Sequence, residues 1–385
     1  MQTIEAHYEI VTPMFIGGGE TQEPPELRPP SIKGALRFWW RALQWGACLQ
    51  AENNNTSDAL KLLHEREAAL FGAAAKDDKY GQGKLQLRLK LEKSLKEAQL
   101  TKLSSGQTYL LGQGLYHFRN GLLKKALDAN QNFTIRLKLA DDVEPEAVLN
   151  TLLLWGLLGG LGSRSRKGWG SVAIRSLKYT GKSGIEIPVI PASLEAYKET
   201  VKKLLSNKAT ALPPFTAFSD KTRIDLSKTG TNALSLLGDI GLEMQMYRSY
   251  GKDGKVAGKD AERNFKDDHD MVLKFAGGEK ITTHPKRVMF GLPHNYFFSN
   301  GAKVDVHALD SNGSEHRRSS PIFIHVHKFA SGDCIAVQSL LKADFLPATD
   351  KIQLKGKKEL NLACLVDWNV ITQYLDRFST KETIV

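Results

Sequence analysis

Apolar and polar positions alternate from the start of the chain. Ile4, Ala6, Tyr8 and Ile10 share one side of residues 2–12, the period of a half-buried strand. The same period returns in "KLQLRLKLE" (84–92), where Leu85, Leu87, Leu89 and Leu91 alternate with Lys84, Gln86, Arg88 and Lys90. It returns again in "NFTIRLKLA" (132–140), with Phe133, Ile135, Leu137 and Leu139 inward and Arg136 and Lys138 outward. Between the first two strands, a Gly- and Pro-rich loop leads to Ser31, placed to cap a helix over about 32–50. "DALKLLHEREAALFG" (58–72) predicts a second helical piece. "EPEAVLNTLLLWGLLGG" (144–160) predicts an apolar helix with Pro145 near its first turn, and "SVAIRSLKY" (171–179) a further strand. The order strand, helix, strand, strand, helix, strand is that of a ferredoxin-like (RRM-like, βαββαβ) domain.

After residue 182 the composition shifts to loops around one basic helix, "SLEAYKETVKKLLSN" (193–207). The boundary is expected over 183–212, between an N-terminal domain (1–182) and a C-terminal one (213–385). The second half predicts a helix over 231–249, strands at 286–298, 321–329 and 334–343, and a final helix at 367–378. The stretch "GKDGKVAGKDAERNFKDDHD" (251–270) reads as a polar insert and a solvated loop. The expected class is α+β, with two tandem ferredoxin-like domains and a glycine-rich loop. No short repeat period appears, which excludes a solenoid.

Composition narrows the function. The 385 residues carry a net charge of +11, with a pI near 9.3, a balance that favours polyanionic partners. Three scattered cysteines make neither a disulfide framework nor a zinc cluster. No stretch approaches the roughly 18–20 apolar residues of a membrane span. With no signal-like start either, a cytoplasmic protein without membrane contact is expected.

Two stretches could carry chemistry. In "ELRPPSIKGALRFWWRAL" (26–43), Lys33, Arg37 and Arg41 follow at i, i+4 and i+8 and share a stripe. Ile32, Leu36, Trp39 and Leu43 take another face, so Trp39 is expected in the core and Trp40 at the border, where a base could lie against it. Free N–H groups at the helix start add a phosphate-binding feature. In "GLLGGLGSRSRKGWGSV" (156–172) and the strand after it, Arg164, Arg166, Lys167, Arg175, Lys178 and Lys182 occur with no acidic residue between Gly159 and Lys182. Glycines at 159, 160, 162, 168 and 170 allow a backbone to approach a ligand closely, and Ser163 and Ser165 add hydroxyl donors. The order is neither a Walker loop nor a dinucleotide fingerprint, because the helix precedes the glycines.

These two stretches, with "TPMFIGGGE" before them and "FGLPHNYFF" and "RRSSPIFIHVH" after them, resemble the RAMP superfamily of CRISPR-associated RNA-binding proteins. Within it, the likeness is to the family of the first-numbered RAMP subunit of type III-B (Cmr) effector complexes. The resemblance implies two ferredoxin-like domains that bind CRISPR guide RNA toward its 3′ end, beside other RAMP subunits and target RNA. It implies RNA contacts from Arg28, Lys33, Arg37, Trp40 and Arg41 in the first motif. From the glycine loop it implies Gly160, Gly162, Ser163, Arg164, Arg166, Lys167, Gly168 and Gly170, and from the second half Arg317, Arg318 and Ser319.

Some RAMP proteins cleave RNA with a histidine acid or base, so the ten histidines matter. His7 and His64 lie away from both basic motifs. His325 and His327 share a strand face, which is expected to be a polar face because no third ligand is fixed by spacing. Asp267, Asp268, His269 and Asp270 cluster inside the polar insert and are expected in the solvated loop. No nucleophile–base pair stands out. The expectation is a subunit that is not an enzyme by itself, with no cofactor and no metal; the rival is a RAMP-type endoribonuclease.

Overall fold

A computed structural model describes residues 2–17, 23–74, 81–112, 114–251 and 253–385. Part of the 12–30 loop (residues 18–22), together with Lys252 of the polar insert, lies outside the described residues. The first half runs β1 (Gln2–Ile10), α1 (Pro29–Ala51), α2 (Thr56–Phe71), β2 (Leu85–Lys90), α3 (Ser105–Leu111), a short hairpin β3 (Tyr116–His117) and β4 (Gly121–Leu122), β5 (Gln131–Leu139), α4 (Glu146–Leu158), β6 (Val172–Thr180) and α5 (Leu194–Leu204). Its antiparallel sheet has the order β2-β5-β1-β6. β1 alternates as its sequence predicts: Ile4, Ala6, Tyr8 and Ile10 are buried, and Ile4 stands opposite Leu137. At the sheet edge the pattern weakens, and Leu91, expected inward, is 41% exposed beyond the end of β2.

The second half repeats that connectivity in β7 (Arg223–Gly230), α6 (Ala233–Arg248), later strands and a last helix, with a large insertion. The insertion holds a hairpin, β8 (Lys255–Val256) and β9 (Lys259–Asp260), then α7 (Lys266–Ala276), a 3-10 turn at Lys286–Phe290, β10 (His294–Phe297), β11 (Lys303–Leu309) and β12 (Glu315–His316). β13 (Ile322–Lys328), β14 (Cys334–Leu340), β15 (Lys351–Lys355), β16 (Glu359–Ala363), α8 (Asn369–Leu375) and β17 (Glu382–Thr383) complete it. One sheet has the order β13-β14-β7-β17, the same 2-3-1-4 sequence of strands as the first half. Another, β10-β11-β15-β16 with β12 on β11, was not expected.

Three expectations are corrected here. Residues 286–290 form a 3-10 turn rather than the start of a strand. The insert at 251–270 is a hairpin and the beginning of α7 rather than a solvated loop. Its Asp268 is buried and accepts from the backbone amides of Lys286 and Arg287, at 2.9 and 2.7 Å, so it ties α7 to the turn. The acid cluster is thereby divided between structure and surface.

α4 is apolar all round because it is covered on more than one side: it packs on α1, on β1 and β6, and on β13 of the second unit. Trp155 is fully buried in this layer, and the Tyr8 hydroxyl donates to the Leu152 carbonyl at 2.8 Å. The same layer explains His325 and His327, each 1% exposed. They do not form the polar strand face expected of them, because β13 is buried along most of its length. His325 Nδ1 lies 2.7 Å from the Gly159 carbonyl, and the His327 ring lies 4.9 Å from that of Tyr197. Among the described residues no helix is long and apolar enough to cross a membrane.

Candidate nucleic-acid interface

The helix of the first motif begins at Pro29, two residues before the expected cap. Ser31 is therefore inside the first turn, and its amide donates to the Arg28 carbonyl at 3.1 Å. Pro29 and Pro30 carry no N–H, so this helix start offers little to a phosphate. Arg28 donates to the Gly17 carbonyl at 3.0 Å. Arg37 and Arg41 reach the same carboxylate oxygen of Glu67 on α2, at 2.7 and 2.9 Å, and the Glu67 side chain is 5% exposed. Lys33 has no ion pair among the described residues. Trp40 is 4% exposed and packs edge-on against Phe71, so it is a core residue like Trp39 and not the border platform expected. The second helix supplies the apolar cover that phasing along α1 alone could not reveal.

The glycine-rich loop is tightly packed. A Cβ on Gly162 (φ +89°) would stand 2.5 Å from the Phe15 carbonyl oxygen, and one on Gly170 (φ +67°) 2.0 Å from that of Leu161. These glycines serve backbone-to-backbone packing within the protein. Amides expected to face a ligand are taken internally: Ser163 donates to Phe15, Lys167 to Arg164, Gly168 to Ser165 and Gly170 to Pro13. Gly160 bridges Ser171. The side chains are what the loop presents, with Ser163 and Arg164 exposed and Arg166 and Lys167 half-buried.

The loop also joins the two units. The Ile324 amide donates to the Arg166 carbonyl at 3.0 Å, and the Arg166 guanidinium donates to the Ser320 carbonyl at 2.9 Å while lying 4.4 Å from the Phe323 ring and 5.2 Å from that of Phe38. This docking brings together cations distant in sequence. Burial and the neighbouring Arg317 lower the affinity of Arg164 for its proton; burial and Arg318 push Arg166 down to about 10. Burial, with Arg248, Arg164 and Arg166 beside it, holds Lys167 well below the ordinary lysine value, and among the described residues its ammonium has only the Met244 sulfur at 3.7 Å. Arg317 and Ser319 are exposed, and Arg318 lies over the Phe345 ring at 5.4 Å with two guanidinium nitrogens unpartnered. Among the described residues none of Arg164, Arg166, Lys167, Arg317 and Arg318 has an acidic partner at ion-pair distance.

Such a concentration of cations without carboxylates can hold a chain of phosphates. Sequence reasoning missed two members of it, Arg248 and Arg287. Arg248 ends a helix by itself and Arg287 follows only Lys286, so nothing in local spacing marks either one. Among the described residues no three His, Cys, Asp or Glu side chains gather as a metal site would.

The RAMP superfamily profile matches residues 7–173, from the first strand through the glycine loop. In that stretch the chain resembles the RAMP superfamily. The chain is 25% identical over 395 residues to the CRISPR system Cmr subunit Cmr1-1 of Pyrococcus furiosus, covering 96% of this chain and 93% of that one. The Cmr1-2 subunit of the same organism is 26% identical over 190 residues, 44% of this chain and 94% of the relative. In fold, it resembles the crystal structure of Cmr1 from Pyrococcus furiosus in its apo form, with a TM-score of 0.62 at 18% identity over 100% and 99% of the two chains. It also resembles a chain of the type III-B Cmr-beta complex bound to cognate target RNA, with a TM-score of 0.54 at 14% identity over 98% and 99%.

Proposed function

We propose that this protein is a RAMP-type, non-catalytic RNA-binding subunit of a type III-B CRISPR effector ribonucleoprotein acting in antiviral defence in the cytoplasm. It lies toward the 3′ end of the guide and contacts guide and target RNA beside other RAMP subunits. The reading takes the chain as two tandem ferredoxin-like domains, about 1–182 and 213–385, joined through 183–212. The observation that carries it is the row of unneutralised cations where the glycine loop docks on the second unit. The relatives' membership of Cmr systems supports the assembly. Arg164 and Arg317 would hold phosphates at the surface, with Arg166, Lys167 and Arg318 behind them and Lys33 and Arg28 extending the path. The glycines shape the loop.

Fluorescence anisotropy with a single-stranded RNA tests this reading. Arg164→Glu with Arg317→Glu, both exposed, should lower affinity about 100-fold without changing Tm, since each lost charge-assisted contact is worth about 1.5 kcal/mol or more. The slope of log K against log salt should flatten by roughly 0.7 per contact removed. Affinity and slope equal to wild type would sink the interface. Discrete RNA cleavage by the purified protein, lost on changing one histidine, would sink the non-catalytic assignment.

A further inference from the structure

The cationic row continues past the loop into a separate cleft of about 580 Å³ in the insertion of the second unit. The cleft lies between the end of α6, the β8–β9 hairpin, α7 and β10, and its volume is within the range of small-ligand sites. Two arginines line it. Arg248 lies 4.4 Å from the Phe290 ring, its Nη2 is 3.5 Å from His294 Nε2, and its Nε is buried without a hydrogen-bond partner. Arg287 lies 4.6 Å from the Tyr296 ring, donates at 3.4 Å to the Arg248 carbonyl, and likewise has a buried, unpartnered Nε. Neither has an acidic partner at ion-pair distance among the described residues. Asp268, whose carboxylate feels the Arg287 charge, is held by the amides of Lys286 and Arg287.

Two half-buried guanidiniums, each with a buried Nε that lacks a partner and with no carboxylate at ion-pair distance, leave donors that an entering anion would satisfy. His294 beside them is held neutral by burial and by Arg287, Arg248 and Lys167, so it adds no competing charge. Tyr296 is 7% exposed, and its buried hydroxyl, in the field of the Arg287 guanidinium, has no partner at good hydrogen-bond geometry. Toward the mouth the walls become flat and aromatic. Tyr250 and His269 stack at 3.8 Å with 7° between their planes, and Phe297 is 64% exposed. Cations at the base with ring faces above them match a nucleotide better than an inorganic anion, because a phosphate takes the arginines and a base takes the rings.

We propose that this cleft is a second binding site, distinct from the loop junction, for one phosphate-bearing nucleotide: its phosphate on Arg248 and Arg287, its base against Phe297 and Tyr250. This rests on the RNA-binding reading for its source, since Lys167 stands between Arg164 and Arg248 and links the cleft to the proposed strand path. A free nucleotide presents the same chemistry, and the experiment separates the two.

The full chain is titrated calorimetrically with adenosine 5′-monophosphate and with adenosine. The monophosphate should bind saturably and adenosine at least about tenfold more weakly, the value of one charge-assisted contact. Arg287→Gln and, separately, the exposed Phe297→Ala should each weaken the monophosphate about tenfold with Tm unchanged for Phe297→Ala. In a second arm, 4-thiouridine-bearing single-stranded RNA is photo-crosslinked and the modified peptides mapped. Crosslinks within 245–298 that disappear in Phe297→Ala assign the site to a strand nucleotide; saturable monophosphate binding without them assigns it to a free nucleotide. No monophosphate binding together with no crosslink in 245–298, or equal binding by both variants, overturns the proposal. If the wild-type chain still binds RNA in that case, only the cleft has failed; if it binds none, the RNA-binding reading has failed with it.

Discussion

The basic side chains of the first unit and those at the junction between the units differ in what faces them. Arg37 and Arg41 share Glu67, Arg136 pairs with Glu5, and Arg175 reaches Glu9, which Lys328 of the second half also pairs with. At the junction, Arg164, Arg166, Lys167, Arg317 and Arg318, with Arg248 and Arg287 behind them, have mostly other cations and aromatic rings for neighbours. Both sets are basic runs in the sequence, yet the first is already neutralised and the second is left open. Charge count alone does not make an interface; the absence of local carboxylates does.

The largest expected effect comes from breaking the neutralised set. Arg37→Ala with Arg41→Ala leaves the buried Glu67 carboxylate uncompensated. Breaking a buried pair costs about 3–5 kcal/mol, and since each arginine side chain is about a third exposed, the expectation is reduced to roughly 2–3 kcal/mol. Urea denaturation should show that loss, and adding Glu67→Gln should restore much of it. RNA affinity per folded molecule should change far less than on altering Arg164 and Arg317. A large loss of RNA binding with stability intact would move the α1 stripe into the open set.

Much of the fold was legible where one element had one buried face. β1 and β5 alternated as written, β6 was found as a strand, α6 and α8 fell within a few residues of their expected spans, and β13 and β14 were found. What failed depended on partners distant in sequence. The sheet of β10, β11, β15 and β16 is built from short strands with charged ends such as Lys303, Lys351 and Lys355, and its pairing skips over β13 and β14. Trp40 and Glu67 were hidden for the same reason, since only the packing of α2 on α1 buries one and pairs the other. The loop cations were visible as residues, but their unneutralised state required seeing which acids the fold keeps away.

Lys167 sharpens the comparison from the other side. Its folded proton affinity lies below that of the unfolded chain, so the native state gives up that proton first and stability rises as pH climbs toward the ordinary lysine value. Lys167→Met should remove that rise and increase Tm at neutral pH by a few degrees, about 2–4 °C for each kcal/mol in a chain of this order. A bound phosphate favours the charged ammonium, so wild-type RNA affinity should fall as pH rises, and the variant should bind about tenfold more weakly with a flatter pH profile. A variant less stable than wild type, with RNA affinity unchanged, would mean that the ammonium is satisfied within the protein.

The smallest effect concerns rings that the junction holds neutral. Burial pushes His325 down to about 3, against the opposing hydrogen bond to the Gly159 carbonyl, and lowers His327 as well. In the unfolded chain each ring takes up its proton near the usual histidine value of about 6.5. For His325, between that pH and about 3 the unfolded state binds more protons than the native state, so stability is lost as pH falls through this window, by up to about 1.4 kcal/mol per pH unit, and His327 adds a loss of the same sign. His325→Gln keeps a donor for Gly159 and removes one titrating group. Urea midpoints at pH 7, 6 and 5 should therefore fall less steeply in the variant. Equal slopes would place the acid sensitivity outside the layer where α4 meets β13. The contrast with Lys167 is one of chemistry: burial drives the histidines of that layer to the neutral form they use in their contacts, whereas an anion beside Lys167 would favour its charged form.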